Sequence, residues 1–270
     1  MPTGISSRRR YTSDEISNVY QEISGTTDIA TLFWIGSAVE FAFHKDVDWL
    51  FFGQGLLHDP LLRVLISAEY HKKIAFGSAE QQRRVARQIR RLHAALEQQR
   101  GRAIPPEAYR DVLLMIIEMG ERAYELIHGP MSQQQRLEYF EMCRTLGQGM
   151  GIEEVPQNYE DYLQLRRASL KHHYQASEYA DQLFQAYQAH FGPIRYALLR
   201  RLMALLCPPA LQPLHAFHAG WLVPFLLRCY VRLRSKLTMR LLEVLLIPKR
   251  YRRRAHAINI WVKEPSRLPR

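Results

Sequence analysis

The sequence predicts an all-α protein, a single mainly helical domain, and three observations carry that expectation. Leu, Ala, Gln, Glu and Arg dominate, a vocabulary of helix formers. Gly and Pro number 14 each in 270 residues, and alternating Val/Ile/Thr runs are nearly absent. Apolar residues recur instead at helical spacing, between Ser/Thr/Asp start signals and Gly/Pro stop signals. With 47% hydrophobic residues the chain has material for a real core.

The N-terminal MPTGISSRRRYTSDE carries an arginine cluster with no apolar stretch behind it, so it reads as a frayed tail and not as a secretory signal. Thr12, with Glu15 three residues on, starts a first helix. The aromatic, charge-poor segment from Phe33 to Gly77 breaks at Gly53-Gln54-Gly55 and at His58-Asp59-Pro60. Pro behind Asp is a helix start, so the next helix runs from Pro60 to about Ile74. Ser78 with Gln81 then forms a capping box. Projected at about 100° per residue, the helix that follows places Val85, Ile89, Leu92 and Leu96 on one face and Arg83, Arg87, Arg90 and Arg91 opposite. His93 falls on the shoulder, beside Ile89 and Leu96, facing the interior or a cavity edge.

A strongly apolar helix follows from about Glu107 to His128, stopped by Gly129-Pro130. Ser132 with Gln135 opens another, to Gly147. The glycines of GQGMG follow no strand, so they read as a helix terminator and not as a phosphate loop. A further helix begins near Asn158, and Phe191-Gly192-Pro193 breaks the chain again. Cys207 to Leu227 is uncharged and long enough for a bilayer. Its four prolines, two histidines and one glutamine favour a short buried helix over Leu214 to Leu227. No internal repeat or linker divides the chain; the expected organisation is a tail with first helix (1–30), a helical domain (31–254) and a basic tail (255–270).

The net charge of +11 is a local property. Arg228 to Arg270 holds 13 Lys+Arg and 2 Asp+Glu, leaving the remainder with 24 of each sign. The body is neutral and the last 43 residues carry the excess, which argues against a protein built around a polyanion. Nucleic acid is not the expected partner, since no recognised module or interleaved aromatics accompany the basic end. An anionic membrane surface suits an amphipathic basic segment better, beside the plain alternative of a solvated tail. Three widely spaced cysteines, Cys143, Cys207 and Cys229, fit reduced thiols and a cytoplasmic protein peripheral to a membrane, not a disulfide framework or zinc site.

No HExxH, GxSxG or GxxxxGK[ST] is present, so hydrolases and nucleotide-binding enzymes lose support. The adjacent His172 and His173 cannot face one helical side, and His215 and His218 at i, i+3 lack an acidic or cysteine partner one turn away. His93 is left with two readings. It is a structural or solvated shoulder residue, or the single axial ligand of a haem, which needs one imidazole over an apolar cavity and an arginine or two for the propionates.

The ordered series DPLLRVLIS (Asp59 to Ser67), IAFGSAEQQ (Ile74 to Gln82), IRRLHAAL (Ile89 to Leu96), AYRDVL (Ala108 to Leu113), MSQQQRLEYFEMCRTLGQGMGIEEVP (Met131 to Pro156) and LIPKRYRRR (Leu246 to Arg254) resembles the MpaB and latex-clearing-protein family of haem oxygenases, over about Phe33 to Arg254. The resemblance implies haem b with His93 as its proximal ligand. It places the family's arginine on Arg63, as propionate or distal donor, and its threonine on Ser67, and Arg63 and Ser67 at i, i+4 share a helix face. Ile66 stands where rubber-cleaving relatives carry a distal lysine. Their distal glutamate has three candidates here, Glu40, Asp48 and Glu69. The implied reaction is O2-dependent cleavage or oxygenation of an unsaturated hydrophobic, isoprenoid-like chain, reached by an apolar tunnel lined by segments around Phe41 to Leu57 and Val112 to Ile117. The alternative is a non-catalytic haem-binding protein or a peripheral lipid-binding helical domain.

Overall fold

The computed structural model describes residues 18–46 and 59–261, and within them helix follows helix. The first half comprises α1 (Val19–Gly25), α2 (Thr27–Ala42), α3 (Pro60–Phe76), α4 (Ala79–Arg100), α5 (Pro106–His128) and α6 (Gln133–Gly149). The second comprises α7 (Tyr159–His172), α8 (Glu178–Phe191), α9 (Pro193–Leu206), a 3₁₀ turn (Pro209–Leu214), α10 (Leu222–Arg232), α11 (Lys236–Leu246) and α12 (Lys249–Trp261). The expected start at Thr12, the split at Gly53-Gln54-Gly55 and the candidate Asp48 lie outside the described residues.

Side-chain caps explain most helix starts. Asn18, Asp59, Ser78, Ser132, Asn158, Ser177 and Ser235 each accept a hydrogen bond from a first-turn N–H, and Ser78–Gln81 and Ser132–Gln135 close full capping boxes. At the core is α2, with Ile29, Leu32, Phe33, Val39 and Ala42 buried and no residue exposed, as expected of a helix with no polar stripe. It packs chiefly along α5 and α9. Gly36 makes that approach possible, because a Cβ there would stand 2.5 Å from Met119 Sδ. Helix α6 runs past Gly147, whose missing side chain lets Leu113 of α5 close against it. The glycine-rich segment is therefore partly helix and not only its terminator.

Two expectations need correcting. No helix spans Leu214 to Leu227: the 3₁₀ turn, with Pro213 inside it, ends at Leu214, His215 is extended, Gly220 adopts φ +64°, and α10 begins only at Leu222. Nor is the segment buried throughout, since Trp221 is 79% exposed and Phe225 and Leu226 lie outside too. On α4, Val85 is buried and Ile89 and Leu96 pack against core clusters, whereas Leu92 is 52% exposed. The neighbouring helices cover only part of that apolar stripe.

Both ends of the described chain are tied in. Asp28, buried at the start of α2, accepts hydrogen bonds from Tyr230 (2.7 Å) and Arg234 (2.8 Å), fixing the α10–α11 corner on the core. Tyr251 donates to Asp59 at 2.6 Å, and Tyr251, Ala255 and Ile258 of α12 pack on Leu61 and Leu65 of α3. Helices α2 and α12 thus run across positions 30/31 and 254/255.

One core residue gives the fold a pH dependence. His71 on α3 stacks on Phe33 at 5.0 Å, with Tyr20 and Trp34 around it, and its Nε2 is buried without a hydrogen-bond partner. Burial, and then the charge of Lys72, push its pKa from 6.5 to about 4. Between those values the unfolded chain binds a proton that the folded one refuses, so stability falls as pH drops through this window, by on the order of 3 kcal/mol in all. His71→Phe is expected to keep the ring stack, remove the unpaired nitrogen and flatten stability between pH 6.5 and 4, as read from urea melts across that range.

Candidate functional site

His93 sits two turns from the end of α4, and its setting follows from local geometry. Nδ1 lies 3.0 Å from the Ile89 carbonyl one turn back, so Nδ1–H donates there and the lone pair resides on Nε2. The ring meets Tyr109 of α5 edge-on at 5.4 Å. Tyr109 is held in turn by its hydroxyl's hydrogen bond to Glu97 (3.1 Å) and by Arg90 over its face. Burial lowers the His93 pKa; the Ile89 bond opposes this, and the charge of Arg63 lowers it further. The result is a neutral imidazole of fixed tautomer, half-buried beside a guanidinium.

Those are the donor properties an axial haem ligand needs: a neutral ring whose other nitrogen is anchored to a backbone carbonyl. The structure brings Arg63 close enough for its charge to be felt at His93. Arg63 is exposed, a cation available to a propionate, and Ser67 is exposed one turn along the same face of α3. His93 and Arg63 therefore supply the donor and the counter-charge that haem requires, while neither borders the apolar cavity of the molecule.

The expected distal carboxylates are placed elsewhere. Glu40 is fully buried on α2, with both oxygens committed. Arg166 of α7 bonds Oε1 (2.6 Å) and Oε2 (2.7 Å), and the Tyr174 hydroxyl donates to Oε1 at 2.7 Å. Arg166 Nε also bonds Glu118 of α5 at 2.6 Å. This network locks three helices together, with each Glu40 oxygen already bound to Arg166. Glu69 pairs with Lys73 (2.8 Å) and with Arg254 (3.6 Å).

On the opposite face of α3, Val64, Ala68 and Lys72 join Trp34 and Met203 in lining an apolar cavity of about 110 Å³. None of Phe41 to Asp46 or Val112 to Ile117, expected to line a tunnel, borders it; Leu113, Leu114, Met115 and Ile117 are core. Lys72 is 3% exposed, and burial pushes its pKa down to about 7 against the opposing charge of Glu243.

A second constellation escaped sequence reasoning altogether. His44, just past α2, Asp111 in α5 and His173, just past α7, converge with their donor atoms within 4.8 Å of one another. His44 Nε2 lies 3.0 Å and His173 Nδ1 2.5 Å from the same oxygen, Asp111 Oδ2. An antiparallel bridge between His44 and Tyr174, with Lys45 N–H on the His173 carbonyl, holds the two histidines together. Burial alone pushes the Asp111 carboxyl up, but hydrogen bonds from His44 and then His173 bring it below the ordinary carboxylate range. Separations of 67 and 62 residues give no local signal, and the sequence offered only the His172-His173 pair, unattractive because adjacent residues diverge on a helix.

Among the described residues no helix is long and apolar enough to cross a membrane. A family model described as ER-bound oxygenase mpaB/B'/Rubber oxygenase, catalytic domain, matches residues 43–257. No curated protein and no solved structure matches the chain.

Proposed function

Because the chain belongs to the family of ER-bound oxygenases mpaB/B' and rubber oxygenase, we propose that it is a haem b-dependent oxygenase of an unsaturated hydrophobic, isoprenoid-like chain, acting by oxidative C=C cleavage. The oxygenase class, with O2 and a small-molecule substrate, comes with the family. One observation supports haem: the tautomer-fixed, neutral His93 beside Arg63. Bound there, the haem iron supplies the site of O2 activation. His93 Nε2 would hold the iron, while the Ile89 carbonyl and the edge of Tyr109 set the plane and rotation of the ring. Arg63 would neutralise a propionate, and the Ser67 hydroxyl offers a hydrogen-bond donor one turn away. Ile66 contributes no amine, so an isoprenoid-cleaving reaction here would run without the distal lysine of rubber-cleaving relatives.

The test is direct. Protein purified from cells fed a haem precursor is expected to show a Soret band and near-stoichiometric haem b by the pyridine haemochrome assay. With a reductant and a long isoprenoid it should consume O2 and release carbonyl products. Haem without O2 uptake above a substrate-free control, across several isoprenoids, would leave a haem carrier.

The same reading includes a lipid surface, from which a lipophilic substrate is collected. Trp221 just before α10, Phe225 and Leu226 on it, and Leu233, Leu237 and Leu241 beside and on α11, are 50% or more exposed. Exposed Arg228, Arg232, Lys236 and Arg240 interleave with them, and Lys249, Arg250, Arg253 and Arg254 follow on α12. Apolar side chains rimmed by cations suit anionic headgroups over acyl chains. Leu246 and Ile247, where α11 ends, line the apolar cavity. The full chain is expected to sediment with vesicles containing phosphatidylserine and much less with pure phosphatidylcholine, losing the difference in high salt. Each large side chain is worth about 1.5–3 kcal/mol of burial, so the combined Phe225→Glu, Leu237→Glu and Leu241→Glu variant should bind more than about 100-fold more weakly. Unchanged sedimentation of that variant would remove this face from the proposal.

A further inference from the structure

We propose that His44, Asp111 and His173 form a mononuclear site for a divalent transition-metal ion of the zinc or ferrous class. Three separate segments deliver two imidazoles and one carboxylate to a common point, with Asp111 fully buried, His44 4% exposed and His173 more open, at 18%. Such a donor set holds borderline divalent ions. Bonds of about 2.1 Å put neighbouring donors about 3.4 Å apart in a tetrahedral site and about 3.0 Å apart in an octahedral one; His44 Nε2 and Asp111 Oδ2 are at 3.0 Å, and His173 Nδ1, at 2.5 Å, would draw back by about 0.5–1 Å. The neighbouring Ser169 hydroxyl is buried with Asp111 and hydrogen-bonds to it, an outer-shell contact of the kind that orients a ligating carboxylate.

The surrounding hydrogen bonds define what uptake of the ion requires. Asp46 N–H donates to His44 Nδ1 at 3.2 Å, so in the metal-free protein Nε2 carries the hydrogen shared with Asp111. On metal binding each ring keeps one hydrogen, moved to the nitrogen away from the ion, and the turn at Asp46 gives up this long bond. Arg110, 4.0 Å from Asp111 Oδ1, also pairs with Glu154, which offsets part of its charge beside the site. Three protein donors leave at least one position for water or a substrate atom, the pattern of a reactive site more than a purely structural one.

The site is separate from His93. Tyr109 and Asp111 are two residues apart on α5, hence about 200° around the helix; the first packs on His93 and the second on His44 and His173. The proposal therefore stands whether or not His93 binds haem.

The experiment uses the full-length, haem-free, chelator-treated chain titrated with Co²⁺. One saturable equivalent with visible d–d absorption is expected, displaced by Zn²⁺. Asp111→Asn and His173→Ala should each weaken binding by about 100-fold or more, while His93→Ala binds as wild type does. In wild type, Zn²⁺ should protect His173, the more open of the two histidines, from diethylpyrocarbonate, a readout that needs no variant to fold. Absence of saturable Co²⁺ uptake by wild type overturns the proposal. So does uptake that survives the Asp111→Asn, His173→Ala double substitution, or Zn²⁺ protection that falls on other histidines.

Discussion

Replacing His93 with alanine is expected to abolish haem binding. The Soret band should disappear and the haemochrome yield fall from near one per chain to background, because one axial nitrogen is the only bond from the chain to the iron that the proposal requires. O2 consumption with an isoprenoid should drop at least about 100-fold, an effect of the size seen when a metal centre loses its ligand or that ligand's support. The fold should survive. His93 is half-buried on the shoulder of α4, outside the buried core, so the stability change should stay within about 0.5–3 kcal/mol and leave the chain folded. Near-native melting with lost haem thus separates a ligand from a packing residue. A colourless wild type that stays colourless on haem titration would make His93 a shoulder residue and remove the cofactor from the proposal.

The largest stability effect is expected at Arg166. Arg166→Met leaves the Glu40 carboxylate fully buried with only the Tyr174 hydroxyl beside it, and strips Glu118 of one of its two arginines. Removing one member of a buried ion pair costs about 3–5 kcal/mol, chiefly because the other charge is stranded. For a chain near this size that corresponds to a fall of roughly 6–20 °C in melting temperature. Adding Glu40→Gln should recover part of the loss, since no isolated charge then remains, and the double-mutant cycle measures the coupling. The same pair decides what Glu40 does. If it holds α2 to α7, Glu40→Gln lowers the melting temperature and leaves turnover by the folded fraction intact. Lost O2 uptake at unchanged stability would return Glu40 to the role of distal base.

Legibility in the sequence followed the range of the interactions involved. Ser78 with Gln81, Ser132 with Gln135, and Asp59 before Pro60 were readable because a cap is settled within four residues, and each lies at its helix start in the structure. The shoulder position of His93 came from the same arithmetic, and its bond to Ile89 is an i, i+4 contact. The family resemblance rested on ordered motifs, and the family match bears it out. Where a signal depended on what packs against what, it failed. Leu92 lies on the apolar stripe of α4 yet is exposed, and the uncharged run ending at Leu227 holds an outward-facing helix start instead of a buried helix.

By itself, then, the sequence determined an all-α chain, most of its helix starts, an oxygenase family and the shoulder position of His93, because periodicity, caps and ordered motifs are written locally. Only the tertiary structure decided that Glu40 is sealed under Arg166, that apolar side chains rimmed by cations are left exposed on α10 and α11, and that His44 and His173 meet on one oxygen of Asp111. These depend on which helix faces meet across 60 residues or more, and no local pattern encodes that, since the burial that selects those faces is a property of the packed whole.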